Sequence, residues 1–226
     1  MIAALLRASI LRLARAPRTR MAIGGWFAIA VAFAIATRWR GSSHGADHVL
    51  LEAYGPLILP LLAYAIVGGV VGTQSLSRSA APFVAFGAPP ARAAAVAVAV
   101  AAATCTVAGA LLAAGVDLLA HGSTDPPLLR DSMASAYAGG LGGGGYAAWF
   151  MLGATFGKRG GGRPVLLVVD WVLGANDGAA ALATPRGHLR NLLGGMPPMG
   201  LPERASAVAL LLLAIAWAFV AVRRTR

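Results

Sequence analysis

One carboxylate of the sequence lies inside a long apolar stretch. Asp170 follows Pro164 by six residues, about 9 Å along a helix that rises 1.5 Å per residue. If that stretch crosses a membrane, a carboxylate there is costly and marks a functional or packing site. Asp170 therefore has two interpretations. It is a proton relay, supported by Glu52 and Asp117, or a hydrogen-bond anchor to a neighbouring helix or subunit. We favour the anchor, because Glu52 and Asp117 fall near the ends of their apolar stretches.

A second group of residues has the spacing of metal ligands. His44 and His48 are four residues apart, with Asp47 between them, and this spacing could hold a metal ion on a helix. Gly41 and Gly45 favour a loop instead. We therefore predict no metal site.

Catalytic motifs were sought and not found in the sequence. A phosphate-binding loop needs Gly-x-x-x-x-Gly-Lys-Ser/Thr, and the nearest segment, 153–159, is one residue short and ends in Arg159. No Gly-x-Ser-x-Gly occurs, and the histidines all fall between the apolar stretches. The single cysteine, Cys105, excludes a disulfide framework and a cysteine-based zinc site. We predict no catalytic residue and no cofactor in this chain.

Composition indicates an integral membrane protein with one domain, residues 1–226. The chain is 58% hydrophobic and 12% charged, whereas soluble domains are about a quarter charged. Its net charge of +11 comes from short basic segments between apolar stretches. That distribution is typical of topology signals, so we expect no nucleic-acid partner.

The apolar stretches predict an all-α, polytopic fold with six membrane-spanning helices, since each is close to the roughly 20 residues that a span needs. The fourth includes the glycine-rich run 139–145, which membrane helices tolerate because small residues permit close packing. We expect the first to be an uncleaved span rather than a signal peptide, because its basic lead is too long. The predicted spans are 21–37, 54–73, 93–119, 133–156, 164–182 and 206–222.

Orientation follows from the basic residues. The N-terminal segment, the connections after the second and fourth spans, and the C-terminal tail contain arginine and lysine without Asp or Glu. Basic residues on the opposite side are mixed with acids. The positive-inside rule therefore predicts that both termini are cytoplasmic. The residues on the basic side are Arg7, Arg12, Arg15, Arg18, Arg20, Arg78, Arg92, Lys158, Arg159, Arg163, Arg223, Arg224 and Arg226.

Residues 1–20 have the pattern of an amphipathic elbow helix. Leucine and isoleucine alternate with Arg7, Arg12 and Arg15 ahead of Pro17. Such a segment can lie flat on a membrane, with its arginines toward anionic headgroups. The alternative is a charged tail that only fixes orientation.

Two connections stand out by composition. Between the second and third spans, Pro82, Phe83, Val84 and Phe86 form an apolar patch, followed by Arg92. We expect a short helix ending at Gly87, with Phe83 and Phe86 on one face as a docking surface or resting on the bilayer. The connection 183–204 is long and rich in glycine and proline, and it is compatible with a re-entrant turn or an ordinary loop.

This order of parts resembles the type-2 permease family of ABC transporters. The features are the basic elbow, the glycines Gly68, Gly69 and Gly72 at the end of the second span, and the segment Ala-Pro-Phe-Val-Ala-Phe-Gly-Ala-Pro-Pro-Ala-Arg at 81–92. The resemblance implies a permease subunit of an ATP-driven exporter. The substrate path would be formed with a second copy or a homologous permease. A separate ATPase pair, which would hold ATP and Mg²⁺, would dock at the segment 82–92.

Two other functions stay open at this point. The chain could be a non-transporting membrane subunit that scaffolds a larger complex, or a proton-coupled carrier. The carrier has little support, because the sequence shows one deep acid and no evident inverted repeat. A composition rich in alanine and arginine with almost no lysine indicates a high-GC bacterium and hence its inner membrane.

Overall fold

The computed structural model describes residues 2–157 and 159–225. These residues form helices and connections, with no strand among them, so the all-α prediction is confirmed. Two of the basic residues used for the orientation prediction, Lys158 and Arg226, lie outside the described residues. The α-helices are α1 (Ile2–Arg15), α2 (Pro17–Trp39), α3 (Gly45–Val49), α4 (Leu59–Val71), α5 (Leu76–Ala85), α6 (Pro90–Ala120), α7 (Leu128–Gly153), α8 (Gly162–Leu173), α9 (Pro185–Leu192) and α10 (Glu203–Arg223).

Four helical stretches in the described part are long and apolar enough to cross a membrane. They are α2, the stretch from α3 through α5, α6 and α10, and they contain the first, second, third and sixth predicted spans. The fourth predicted span is also one continuous helix, the 26-residue α7. The glycines of α7 do not interrupt the helix. Each adds little to its mean hydropathy.

α4 is the central helix, and the residues before it depart from α-helical geometry. α3 continues into a π-helical segment, Leu50–Ile58, in which the Leu59 N–H donates to the Tyr54 carbonyl, five residues earlier. The two prolines, Pro56 and Pro60, explain the departure, because each removes one backbone N–H. α4 ends at Gly72, whose φ of +75° stops the helix. The fully buried residues of this central helix include Leu59, Leu62, Ala63, Ile66 and Val67.

α6 and α7 approach each other backbone to backbone. A Cβ added at Gly109 would overlap the carbonyl oxygen of Gly139, and one at Gly143 would overlap the carbonyl oxygen of Cys105. The Tyr54 hydroxyl donates to the Gly109 carbonyl at 2.7 Å, which ties the π-helical segment to this pair. Small residues at successive turns therefore set the distance between the two helices.

The predicted fifth span, 164–182, was wrong as a single helix. α8 ends at Leu173 after 12 residues, about 18 Å at 1.5 Å per residue, which is less than a bilayer core of about 30 Å. A turn and the 3₁₀ segment Ala179–Ala183 follow, and then the buried helix α9. α9 is held to the start of α10 by Asn191, whose Nδ2 donates to Ser206 Oγ at 2.7 Å.

Both ends of the described chain lie at the same end of the bundle. The Leu76 N–H at the start of α5 donates to the Ala154 carbonyl just after α7. The Arg224 guanidinium lies 4.3 Å from the ring centroid of Phe156, and Leu5 of α1 packs in one cluster with residues of α5 and α6. We call this end the basic end, because α1, α5 and the last turn of α10 bring their arginines to it.

Candidate functional site

α5 is a short helix whose first turn is packed against the bundle and whose last turn is exposed. Ser75 caps it by accepting a hydrogen bond from the Arg78 N–H at 3.4 Å, and Leu76 is fully buried. The Ser79 hydroxyl donates to the Leu76 carbonyl at 2.8 Å. The start of α5 therefore moves with the end of α7, and the last turn projects from the basic end.

The two aromatic residues expected to share a face of α5 have different environments. Phe83 is half-buried in a cluster with Leu5, Ala80 and Ala93, whereas Phe86 is 92% exposed. The difference arises because α5 ends at Ala85, so Phe86 lies beyond the helix with φ of −94° and ψ of 19°. Pro82, Val84 and Arg92 are exposed as well. Of the predicted docking residues, only Phe83 serves as an internal contact.

The elbow helix α1 links this segment to α4. Arg12 donates from Nη1 to the Val70 carbonyl at 3.3 Å, and its guanidinium lies 5.8 Å from the ring centroid of Phe83. Arg7 and Arg15 are exposed. Among the three elbow arginines, Arg12 thus joins α1, α4 and α5, and the other two remain available to a charged surface.

Arg163, which the sequence analysis counted only as a topology signal, is a buried structural residue. It is 7% exposed, and its Nη2 donates to the Gly72 carbonyl at 2.8 Å. The same guanidinium lies 5.8 Å from the ring centroid of Tyr64. Arg163 therefore holds the start of α8 against the end of α4, just before α5 in the chain. The sequence gives no sign that Arg163 is buried, because its hydrogen-bond acceptor is a backbone carbonyl, which every residue has.

Asp170 forms a junction of three helices at the other end of α8. It is fully buried, and its carboxylate accepts hydrogen bonds from the Tyr146 hydroxyl at 2.9 Å and from the backbone N–H of Arg186 at 3.0 Å. The second bond satisfies one of the N–H groups that the first turn of α9 leaves free. These contacts join α8 to α7 and α9, and the role of Asp170 as an anchor stays a prediction. Neither hydrogen bond of Asp170 involves α5, so the predicted site residues do not form a single site.

His188, in the middle of α9, is a further buried polar residue. Its Nε2 lies 2.9 Å from the Leu182 carbonyl, whereas its buried Nδ1 has no hydrogen-bond partner among the described residues. The connection 183–204, left open by the sequence, therefore contains a packed helix with buried polar side chains.

Trp171 completes the hydrogen bonding that the prolines disturb. Because Pro60 has no N–H, the carbonyl of Pro56 lacks the donor four residues later, and Trp171 Nε1 donates to it at 2.9 Å.

We expect Trp171→Phe to lower the stability of the folded chain by about 1 kcal/mol, the net value of one such hydrogen bond. Thermal unfolding in detergent measures the change. Trp39→Phe is the control, since Trp39 is 86% exposed, and an equal loss in both variants would contradict this role.

A groove of about 570 Å³ runs between α6, α7 and α10. Its lining is apolar and made mostly of small residues, among them Ala102, Ala110, Gly140, Gly144 and Ala214. Helix surfaces of this kind permit close approach of another helix or of lipid chains.

Comparisons of the chain with family models, with curated proteins and with solved structures gave no match. The geometry of the chain itself therefore carries the functional proposal.

Proposed function

We propose that this chain is the membrane-embedded permease subunit of an ATP-driven exporter of the type-2 ABC class, in a bacterial inner membrane. The observation that carries the proposal is α5. It is a short helix attached to the bundle at Ser75 and Leu76. Its last turn exposes Pro82 and Val84, and Phe86 is exposed just beyond it, at the basic end. A separate ATPase subunit would bind there, and ATP and Mg²⁺ would be held by that partner.

The distribution of charge supports an orientation with α5 in the cytoplasm. The arginines of α1, α5 and the end of α10 lie at the basic end, without Asp or Glu among the described residues of these elements. The acids concentrate toward the opposite end, on α3, around the α6–α7 connection and beside α9 and α10. By the positive-inside rule, this distribution supports an orientation with both termini in the cytoplasm.

Six crossings are compatible with this orientation. α7 packs along α6, which is itself long enough to cross, so α7 would cross beside it. The fifth crossing would consist of α8 followed by the turn and α9. Irregular backbone at membrane depth is tolerated where protein buries it. Here Asp170 and Asn191 bond α9 to α8 and α10, and Trp171 bonds α8 to the π-helical segment.

The groove between α6, α7 and α10 supports assembly with a second permease. Its small residues would let a helix of another copy, or of a homologous permease, approach closely. Closure of the docked ATPase pair would move α5. Since Leu76 is bonded to the end of α7 and Arg12 joins α5 to α1 and α4, that motion would reach the helices as a rigid-body displacement.

The test uses the tagged chain purified from its native membranes and reconstituted in lipid. We expect ATPase activity to co-purify with it. Phe86→Asp should reduce that activity at least tenfold at equal yield of the chain, because a charge replaces an exposed apolar contact without disturbing the core. Leu129→Asp is the matched control, since Leu129 is 76% exposed at the opposite end.

The contrary results are equally clear. If no ATP hydrolysis co-purifies, or if Phe86→Asp retains it in full, the docking assignment fails and a scaffold subunit explains the fold better. Phe83→Asp is a poor first choice, because Phe83 packs against α1 and its replacement would disturb the elbow as well as the docking surface.

A further inference from the structure

Three side chains meet where α6 ends and α7 begins. Asp117 lies in the last turn of α6, His121 directly follows that helix, and Asp131 lies in the first turn of α7. His121 Nδ1 is 4.0 Å from Asp117 Oδ1 and 4.0 Å from Asp131 Oδ2. The three donor atoms lie within 4.8 Å of one another. We call these residues the α6–α7 cluster.

Asp117 is the buried member of the cluster, and several polar atoms of the cluster make no hydrogen bond within the described residues. Asp117 is fully buried, yet neither of its carboxylate oxygens makes a hydrogen bond within residues 2–157 and 159–225. The same holds for His121 Nδ1 and Asp131 Oδ2 in the described part of the chain. A buried polar group without a partner costs free energy, and a buried carboxylate costs most of all. A cation held between the three side chains would satisfy all four atoms at once.

The surroundings are acidic as well. Asp125 and Asp47 belong to a neighbouring group with His44, and His44 Nδ1 lies 3.6 Å from Asp125 Oδ1. Arg38 also reaches this region, but its Nη1 donates to the His121 carbonyl at 3.1 Å and not to a carboxylate. Within the described residues no arginine or lysine forms an ion pair with Asp117 or Asp131. The local field therefore favours a positive ion.

We propose that Asp117, His121 and Asp131 bind a divalent transition-metal ion of the zinc class. Zinc takes one imidazole nitrogen and two carboxylate oxygens readily, at about 2.0–2.2 Å. Donors around such an ion lie about 3–4 Å apart, so the two separations of 4.0 Å from His121 Nδ1 would shorten by less than about 1 Å on binding. The imidazole distinguishes this site from one for Mg²⁺ or Ca²⁺, which prefer oxygen ligands only. His121, whose side chain is 23% exposed, provides the route to solvent.

The bound ion would join two helices. Asp117 and His121 belong to the end of α6 and Asp131 belongs to α7, so the ion would fasten the connection 121–127 at the end of the bundle opposite α5. This site does not depend on the exporter function, because its ligands lie far from the docking surface.

The test is zinc binding by the untagged chain in detergent, after removal of metal with a chelator and in competition with a chromophoric zinc indicator. We expect one Zn²⁺ per chain. His121→Ala should weaken binding at least tenfold, because it removes the one nitrogen ligand at a partly exposed position. His48→Ala is the matched control and should bind as the unaltered chain does. Mg²⁺ and Ca²⁺ at the same concentration should not displace the ion.

Asp117→Asn gives a second measurement that does not depend on loss of folding. In chelator, its melting temperature should equal or exceed that of the unaltered chain, since one buried unpartnered charge is gone. With Zn²⁺, the unaltered chain should gain melting temperature and Asp117→Asn should not. Absence of saturable zinc binding, or equal affinity in His121→Ala, would overturn the proposal.

Discussion

Replacing Gly109 by alanine is expected to destabilise the folded chain by about 1–3 kcal/mol, the usual cost of forcing extra volume into a packed contact. The new Cβ would overlap the carbonyl oxygen of Gly139 and would lie 3.1 Å from Leu59 Cδ1. The backbone of α7 cannot move aside as a side chain could, so α6 and α7 must separate. Separation would also strain the hydrogen bond from Tyr54 to the Gly109 carbonyl.

The same helix supplies the control. Gly115 lies in α6, and a Cβ there would meet nothing within 4 Å. Gly115→Ala should therefore be neutral, or stabilising by up to about 1 kcal/mol through the higher helix propensity of alanine. Unfolding of both variants in mixed micelles with increasing SDS measures the difference. If Gly109→Ala were as stable as Gly115→Ala, α6 and α7 would not be in the backbone contact described here.

This contact also shows what the sequence could predict. Apolar length was enough to locate α2, α6 and α10, and the tolerance of membrane helices for glycine was enough to keep α7 as one helix. Which glycines make the contact could not be predicted, because Gly109 and Gly115 have the same type and similar neighbours. The partner helix decides between them, and it lies elsewhere in the chain.

The two departures from the expected fold both arise at helix ends. α8 ends at Leu173, directly before the segment Gly-Ala-Asn-Asp-Gly at 174–178, a local stop signal that the predicted span 164–182 passed over. The rule that residues three apart share a helix face failed for Phe86 because α5 ends one residue earlier. Both helix ends lie beside local stop signals, Gly174 after α8 and the Gly-Ala-Pro-Pro segment at 87–90 after α5.

The histidines illustrate the limit for sites. His44 and His48 attracted a metal hypothesis through their spacing, but His48 is not in either group of donor atoms that the structure assembles. Asp117 and His121 have the same spacing of four, and Asp131 joins them only because α7 turns back along α6. A search for pairs at that spacing on both sides of a short connection would have found the cluster.

Asp170→Leu is expected to lower the stability of the folded chain by about 2–5 kcal/mol. The substitution leaves the Tyr146 hydroxyl and the Arg186 N–H without an acceptor, and each such buried group costs about 1–3 kcal/mol. α9 would lose the bond that satisfies its first turn. The loss should appear in thermal unfolding, together with increased proteolysis of the connection 174–184, because α8 and α9 would no longer be held together.

Asp170→Asn separates the anchor from a proton relay. An asparagine oxygen can accept from the Arg186 N–H, and its amide can donate to the Tyr146 oxygen, since a hydroxyl both donates and accepts. The anchor therefore predicts that Asp170→Asn retains stability within about 1 kcal/mol, assembles normally and transports normally. A relay predicts normal assembly without transport, because an amide cannot carry the proton. Since a relay must exchange protons with water, the full burial of Asp170 between Tyr146 and α9 favours the first result.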